Sequence, residues 1–420
     1  MERSNEYDVL IIGGGPAGST CGKYLAEANI SCTILDKAKF PRKKVCAAGL
    51  LQHVFTQFPY TAALIDVYNK SVQIYDADLD NHFEVHSDKP LLAMTKGREH
   101  FDTELLKFAQ DAGCIVHEDT FITSVVRTKD GVIAKDAKGQ SYNGKVIVGA
   151  DSVPSVVGKS LNFGLTKKNT DFGIALEKEI DLSPEICDKY FGEERKVILI
   201  LNYRGSNGYA WLFPRKSSVN IGIGGASYEG RNLSAHLVHL FEDLKEKQII
   251  PSKDKHDVPI TGHDKMAAIL PVTIPKEFIF TDRALLIGDA GGFCSPATGE
   301  GIFYAMKSGQ IAANCIEKIH QSYQKHSCTE NPYTSQELRF YYRTIKTELQ
   351  KELKFQHYAM ENVITDLRRA KKAVRWGKKD KKLRDLFASF LSGSVSYDRL
   401  PLIMGYQYFR CKIKEFFGKL

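Results

Sequence analysis

One stretch near the start constrains the fold more than any other. Tyr7 to Ile12 (YDVLII) is a short apolar run of the buried-strand kind, and it leads straight into Gly13-Gly-Gly-Pro-Ala-Gly18. A helical pattern from Pro16 to Ala28 follows, then a second apolar strand, Ser31 to Leu35, closed by Asp36. Glycines 13, 15 and 18 at the first turn of such a strand–helix–strand unit form a dinucleotide cradle. Gly13 permits the tight turn, Gly15 lets backbone amides approach a pyrophosphate, and Gly18 lets the helix lie against the strand. The helix N-terminus, with Pro16 and Ala17 in its first turn, adds partial positive charge. Asp36, 23 residues beyond Gly13, is placed to accept hydrogen bonds from an adenosine ribose. Lys37 beside it is a candidate contact for a phosphate on that ribose; a solvated lysine is the plainer reading.

A second segment repeats the logic near residue 290. Ala284 to Ile287 reads as a buried strand, Gly288-Asp289 follows, and after a loop a helix begins near Gly299-Glu-Gly301. Ile302, Ala305, Met306, Gly309, Ala312, Ala313 and Ile316 then recur at the helical period. This is another glycine-rich helix N-terminus facing the end of a strand.

These motifs, with Arg98 opening a helical stretch and the Gly149-Ala-Asp151 turn, resemble the FAD-binding oxidoreductases of the hydroxylase type. The resemblance implies that Asp289 contacts the flavin ribitol, that Gly299, Gly301 and Ile302 lie beside the isoalloxazine ring, and that Arg98 lines the cofactor. No second dinucleotide unit is present, which favours bound FAD over resident NAD(P)H. Where that group has Gly-Ala-Asp-Gly, this chain has Ser152, so altered turn geometry is expected there.

Three further segments are similar to the geranylgeranyl reductase family. They are the Tyr209-x-Trp211-x-Phe213-Pro214 run, the Phe40-Pro-Arg-Lys-Lys-Val-Cys46-Ala-Ala-Gly-Leu50 loop, and Gly299-Glu-Gly-Ile-x-Tyr-Ala-x-x-Ser-Gly309. In the loop, Ala47 and Ala48 stand where the family often has glycine. The resemblance spans roughly residues 5 to 320 and implies saturation of prenyl double bonds by hydride transfer from reduced flavin. Tyr209, Trp211 and Phe213 alternate, so they project from one strand face. That face is either a slot for an isoprenoid chain or the inner side of an antiparallel sheet. The reaction needs a proton donor; Cys46 is one candidate and Glu300 a second, each with a packing role as the alternative. Rival activities are a flavin monooxygenase or hydroxylase of the same fold, and a non-catalytic FAD-binding protein at a membrane surface. The W-x-W-x-I-P signature of flavin halogenases is absent.

The expected architecture is an α/β fold: a Rossmann-like FAD-binding domain with an inserted antiparallel-sheet substrate domain and a C-terminal helical region. The FAD-binding domain is assigned residues 1–70, 96–170 and 276–325, the substrate domain 71–95 and 171–275, and the basic helical region 326–420. At 420 residues the chain is long enough for such a division. Its net charge of +8 is uneven. Residues 338–420 hold 20 Lys+Arg against 8 Asp+Glu, which is +12 and leaves −4 for the rest. Within 368–384 ten cations meet one acid, and an aromatic stretch follows that includes Phe387, Phe390, Tyr406, Tyr408, Phe409, Phe416 and Phe417. Clustered cations beside apolar side chains suit an anionic membrane surface, with a solvated helical face as the bland alternative. No nucleic-acid motif accompanies the charge. The expected partners are therefore a prenyl lipid or prenyl diphosphate and an external electron donor, NADPH or ferredoxin. No metal site is expected, since the nine cysteines are scattered with no C-x-x-C. A strand beginning at Tyr7 leaves no room for a secretory signal, so the expected location is cytoplasmic, at the inner face of a membrane if peripheral.

Overall fold

The computed structural model describes residues 6–163, 172–275, 277–326, 331–392 and 400–416. The chain divides into two compact units. The first comprises Met1–Lys43, Glu99–Asp171 and Leu270–Leu353, and the second Lys44–Arg98, Phe172–Ile269 and Lys354–Leu420.

The first unit is built on parallel strands. Glu6–Ile12 lies between Cys32–Leu35 and Ser141–Gly149 and runs parallel to both. Ala284–Leu286 extends the sheet beyond Ser141–Gly149, and Ile115–His117 extends it beyond Cys32–Leu35. Val9, Leu10 and Ile11 are fully buried, as a strand covered on both faces must be. On one face, Val125, Val132, Ala134 and Tyr142 of an antiparallel extension pack on Leu10, Ile147 and Leu286. The other face carries the Pro16–Glu27 helix, which packs closely on the Ile302–His326 helix. A Cβ at Gly309 would sit 2.4 Å from the Ala17 carbonyl, so glycine is what allows the two helices to approach.

The second unit is a seven-stranded sheet. Its order is Met266–Leu270, Gly173–Asp181, Ser218–Ala226, Gly208–Pro214, Val197–Leu201, Ser71–Tyr75 and His82–His86. One pair departs from the antiparallel expectation: Val197–Leu201 runs parallel to Ser71–Tyr75. A parallel pair needs a long crossover, and these strands come from excursions of the chain more than a hundred residues apart. One face of the sheet (Leu176, Ile180, Ala210, Leu212, Ile221, Ile223) buries Leu233, Leu237, Leu240, Phe241 and Leu244 of the Gly230–Glu246 helix. On the opposite face, Val72, Ile74, Phe83 and Val197 meet Val374, Phe387 and Phe390 of the C-terminal helices.

Two assignments read from the sequence are placed differently by this packing. Residues 44–70, read above with the FAD-binding domain, fall in the second unit. Gly49–Leu51 and Ile65–Asn69 pair with Leu92–Thr95, and Leu51, Leu92 and Met94 join the core around Val72 and Ile74. The 326–420 region is also divided. Ser335–Glu348 belongs to the first unit, where the Tyr341 hydroxyl donates to the Leu286 carbonyl at 2.9 Å, and Leu367–Lys379 and Lys381–Leu391 belong to the second.

Candidate active site

The glycine cradle of the first unit is shaped by close approaches. Gly13 has φ +104°, and a Cβ there would lie 2.4 Å from the Ala150 carbonyl oxygen. A Cβ on Gly18 would lie 1.8 Å from the Gly13 carbonyl oxygen. Neither position tolerates a side chain, so the first turn of the Pro16–Glu27 helix closes tightly on the strand end, with Gly15 as its N-cap. Asp36 is buried and ties the loop together: Oδ2 accepts from the Gly14 amide at 2.6 Å and Oδ1 from Ala38 at 2.8 Å. Two acceptor positions on a carboxylate leave capacity for ribose hydroxyls. Lys37, next in the chain, is exposed.

Arg42 was not singled out by the sequence. A Cβ on Gly15 would contact its Nη2 at 3.4 Å, and the same Nη2 lies 3.1 Å from Oδ2 of Asp102, which is fully buried. A guanidinium is thereby fixed beside the glycine loop. In the sequence it is one of three consecutive cations in the Phe40–Leu50 loop.

The second glycine loop forms a short turn, Gly288–Gly291, at the end of Ala284–Leu286. Gly288 adopts φ +55° and its amide donates to Ser308 Oγ at 2.9 Å, while Gly299 adopts φ +66°. Asp289 Oδ2 accepts from the Ser152 hydroxyl at 3.2 Å, and a Cβ on Gly301 would lie 3.7 Å from Asp289 Oδ1. The loop is closed by Ser295 donating its amide to the Glu300 carbonyl at 2.9 Å, and Ile302 is buried where the long helix begins. Ser152 is held at φ +62°, the left-handed conformation that the glycine of the related motif would adopt freely. Asp151 before it caps the Val156–Ser160 helix, accepting from the Val156 amide at 2.6 Å, and burial raises its pKa. Arg98 is the first residue of the Arg98–Asp111 helix and is 9% exposed.

The glycines, Asp36, Arg42 and the Asp289 loop together fit a flavin dinucleotide: one cradle closed to side chains, one fixed cation and two carboxylates at strand ends.

In the second unit, Tyr209, Trp211 and Phe213 stand in a row with ring centroids 5.9 and 6.1 Å apart. Trp211 is buried, and a Cβ on Gly222 across the ladder would lie 2.2 Å from its ring. Its indole N–H donates to Asn220 Oδ1 at 2.8 Å. Tyr209 and Phe213 are half-buried. Gly222 is in turn paired with Glu177, and Asn220 with Glu179, so two carboxylates share this face with the aromatics.

Glu179 is ion-paired with Arg215. It accepts from Arg215 Nη1 at 2.5 Å, Ser218 Oγ at 2.6 Å and Asn220 Nδ2 at 3.0 Å. Arg215 also donates to the Ala47 and Thr95 carbonyls, each at 2.7 Å, which pins the 46–48 loop to the sheet. Glu177 differs. It is 2% exposed and its Oε1 accepts from the Cys46 amide at 2.8 Å. Burial, reinforced by the charge of Glu179 and opposed by the Cys46 amide and Arg215, pushes its carboxyl up to about 7. Cys46 is half-buried, with its sulfur 3.4 Å from the Ala48 amide, and Ala48 sits at φ +52°. Nothing in the pattern IALEKEI distinguishes Glu177 from a solvated strand residue; only the sheet register shows it to be buried.

The FAD binding domain family matches residues 6–326, so the chain belongs to the FAD-binding oxidoreductases and its cofactor is FAD. Within them it belongs to the geranylgeranyl reductase family. It is 30% identical over 332 residues to the digeranylgeranylglycerophospholipid reductase of Methanocella arvoryzae, covering 74% of this chain and 78% of that one. It is 24% identical over 335 residues to the chloroplastic geranylgeranyl diphosphate reductase of Arabidopsis thaliana, covering 76% and 67%. A crystal structure of a geranylgeranyl bacteriochlorophyll reductase-like protein from Thermoplasma acidophilum superimposes with a TM-score of 0.78 at 22% identity, over 99% of both chains, and so shares the fold.

Proposed function

We propose that this protein saturates double bonds of geranylgeranyl chains carried by a lipid or a diphosphate. The observation that carries the reading is the sheet face of the second unit, where an aromatic row over glycine lies beside the buried carboxyl of Glu177, which burial pushes up to about 7. Tyr209, Trp211 and Phe213 bind the isoprenoid; each CH₂ removed from water contributes about 0.8 kcal/mol. FAD, when bound and reduced, supplies a hydride to one alkene carbon. An isolated alkene accepts it only if a proton reaches the neighbouring carbon, so that C=C, one hydride and one proton give CH–CH. Glu177 donates that proton and is recharged from solvent, with the Cys46 amide holding its Oε1. The Cys46 thiol is the second candidate donor.

Gly13, Gly15, Pro16, Ala17 and Gly18 hold the pyrophosphate with Arg42, Asp36 holds the ribose, and Asp289, Gly299, Gly301 and Ile302 hold the flavin side, with Lys37 and Arg98 as further contacts. Electrons come from an external donor, NADPH or ferredoxin. Among the described residues no helix is long and apolar enough to cross a membrane; a membrane-borne substrate is reached by peripheral attachment to the inner face.

The test is anaerobic reoxidation. Reduced protein mixed with digeranylgeranyl lipid should regain the oxidised flavin spectrum without oxygen. Reoxidation that occurs only with oxygen contradicts the reading and favours a monooxygenase. Cys46→Ala retains the backbone amide, so it should keep reoxidation when Glu177 is the donor; loss in Cys46→Ala with retention in Glu177→Gln assigns the proton to the thiol.

A further inference from the structure

The basic stretch 368–384 is less free than its composition suggests. Lys371 pairs with Asp78 at 2.5 Å and Lys372 with Glu415 at 2.6 Å, and Arg369 donates to the Asn362 carbonyl at 2.7 Å. Arg384 donates to the Gly377 carbonyl at 2.8 Å. Phe387 and Phe390 pack into the core around Phe83. Phe417 lies outside the described residues.

The last helix, Leu400–Phe416, has two faces of opposite character. One is docked: Leu400 and Cys411 are buried, the Tyr408 ring meets Trp376 at 5.6 Å, and Lys414 reaches Asp380 at 2.6 Å. Arg410 also pairs with Asp380, itself 2% exposed. The opposite face carries Leu402, Tyr406, Phe409, Ile413 and Phe416, at 78%, 62%, 64%, 41% and 84% exposure. At about 100° per residue these five fall within roughly 80° of one another, on the side opposite Cys411. The stripe is about 20 Å long at ~1.5 Å per residue. Exposed Lys412 flanks it, and Arg375, Lys378, Lys379, Lys381 and Lys382 are exposed on the two helices to which it is docked.

We propose that this face of the Leu400–Phe416 helix lies in the headgroup region of an anionic bilayer and is the protein's membrane anchor. The proposal rests on the reading of a membrane-borne prenyl substrate. Charge decides the occupant. A Phe/Tyr/Leu stripe flanked by Lys412, in a region with further exposed cations, is the interfacial pattern, whereas a subunit interface would be depleted of lysine. Each lysine near an anionic surface adds to apolar insertion.

The experiment is co-sedimentation of the full-length holoprotein with vesicles of phosphatidylcholine, with and without phosphatidylglycerol. Wild type should bind the anionic vesicles far more tightly, and less so at high salt. Leu402→Ser/Phe409→Ser should weaken partitioning by about tenfold per side chain, with FAD content and thermal midpoint unchanged because both residues are exposed. Equal vesicle binding by wild type and the double variant overturns the proposal. So does a wild-type dimer in sedimentation velocity that the double variant abolishes without vesicle binding. Reduction of detergent-dispersed lipid by a wild type that ignores vesicles overturns the anchor alone; vesicle binding without turnover of dispersed lipid overturns the substrate reading instead.

Discussion

Glu177→Gln isolates a buried carboxyl on the aromatic face whose pKa burial raises to about 7. The carboxyl moves from an ordinary 4.5 to about 7 on folding. At 1.36 kcal/mol per unit, ionising it inside the folded protein costs roughly 3 kcal/mol. Its folded pKa is raised, so the folded state holds the proton more tightly than the unfolded chain between those two values. Glu177 therefore contributes stability that is fully present below about 4.5 and is lost as pH rises through about 7. Glutamine offers the same Oε1 acceptor to the Cys46 amide and never ionises. The difference in urea unfolding free energy, variant minus wild type, should be near zero at about pH 4 and reach roughly 3 kcal/mol in favour of the variant at about pH 8. A difference spectrum should show one protonated carboxyl stretch lost in the variant at the lower pH. Turnover should fall about 10²-fold or more in the variant, and wild-type turnover should decline above about pH 7. A stability difference independent of pH would refute the burial argument, and undiminished turnover would refute the proton-donor role.

Two further substitutions test the cofactor cradle. Arg42→Ala removes both the cation beside Gly15 and the partner of buried Asp102; apo-protein unfolding should show a loss of about 3 kcal/mol, and titration with FAD at least tenfold weaker binding. Ser152→Ala removes the hydrogen bond to Asp289 while keeping the strain at φ +62°, and should cost about 1 kcal/mol in thermal unfolding. Ser152→Gly loses the same bond but relieves the backbone, and should be close to neutral.

What was legible in the sequence was whatever the backbone alone demands. A Cβ on Gly13 or Gly18 would fall 2.4 or 1.8 Å from a main-chain oxygen, and only glycine avoids that clash, so the cradle announces itself. The aromatic row was legible because period 2 puts Tyr209, Trp211 and Phe213 on one face whatever the sheet does. Glu177 and Arg42 were not legible, because their roles depend on partners far along the chain: Cys46 is 131 residues from Glu177, and Asp102 is 60 residues from Arg42. The tail misled for the same reason. Lys371 and Lys372 read as free cations until Asp78 and Glu415 are brought to them by folding. The Leu402–Tyr406–Phe409–Ile413–Phe416 stripe is a clean helical period in the sequence, but whether such a stripe faces core or solvent is settled only by what packs on the other side.

The central claim is tested most directly by weighing the product. Purified holoprotein, its flavin reduced without oxygen, is given geranylgeranyl diphosphate or a digeranylgeranyl lipid, and the recovered prenyl compound is analysed by mass spectrometry. The account predicts a gain of one H₂ for each double bond reduced, in wild type and in Cys46→Ala, and little or none in Glu177→Gln. An unchanged mass from wild-type protein with FAD bound and reducible would contradict it and leave Tyr209, Trp211 and Phe213 as the inner face of a sheet.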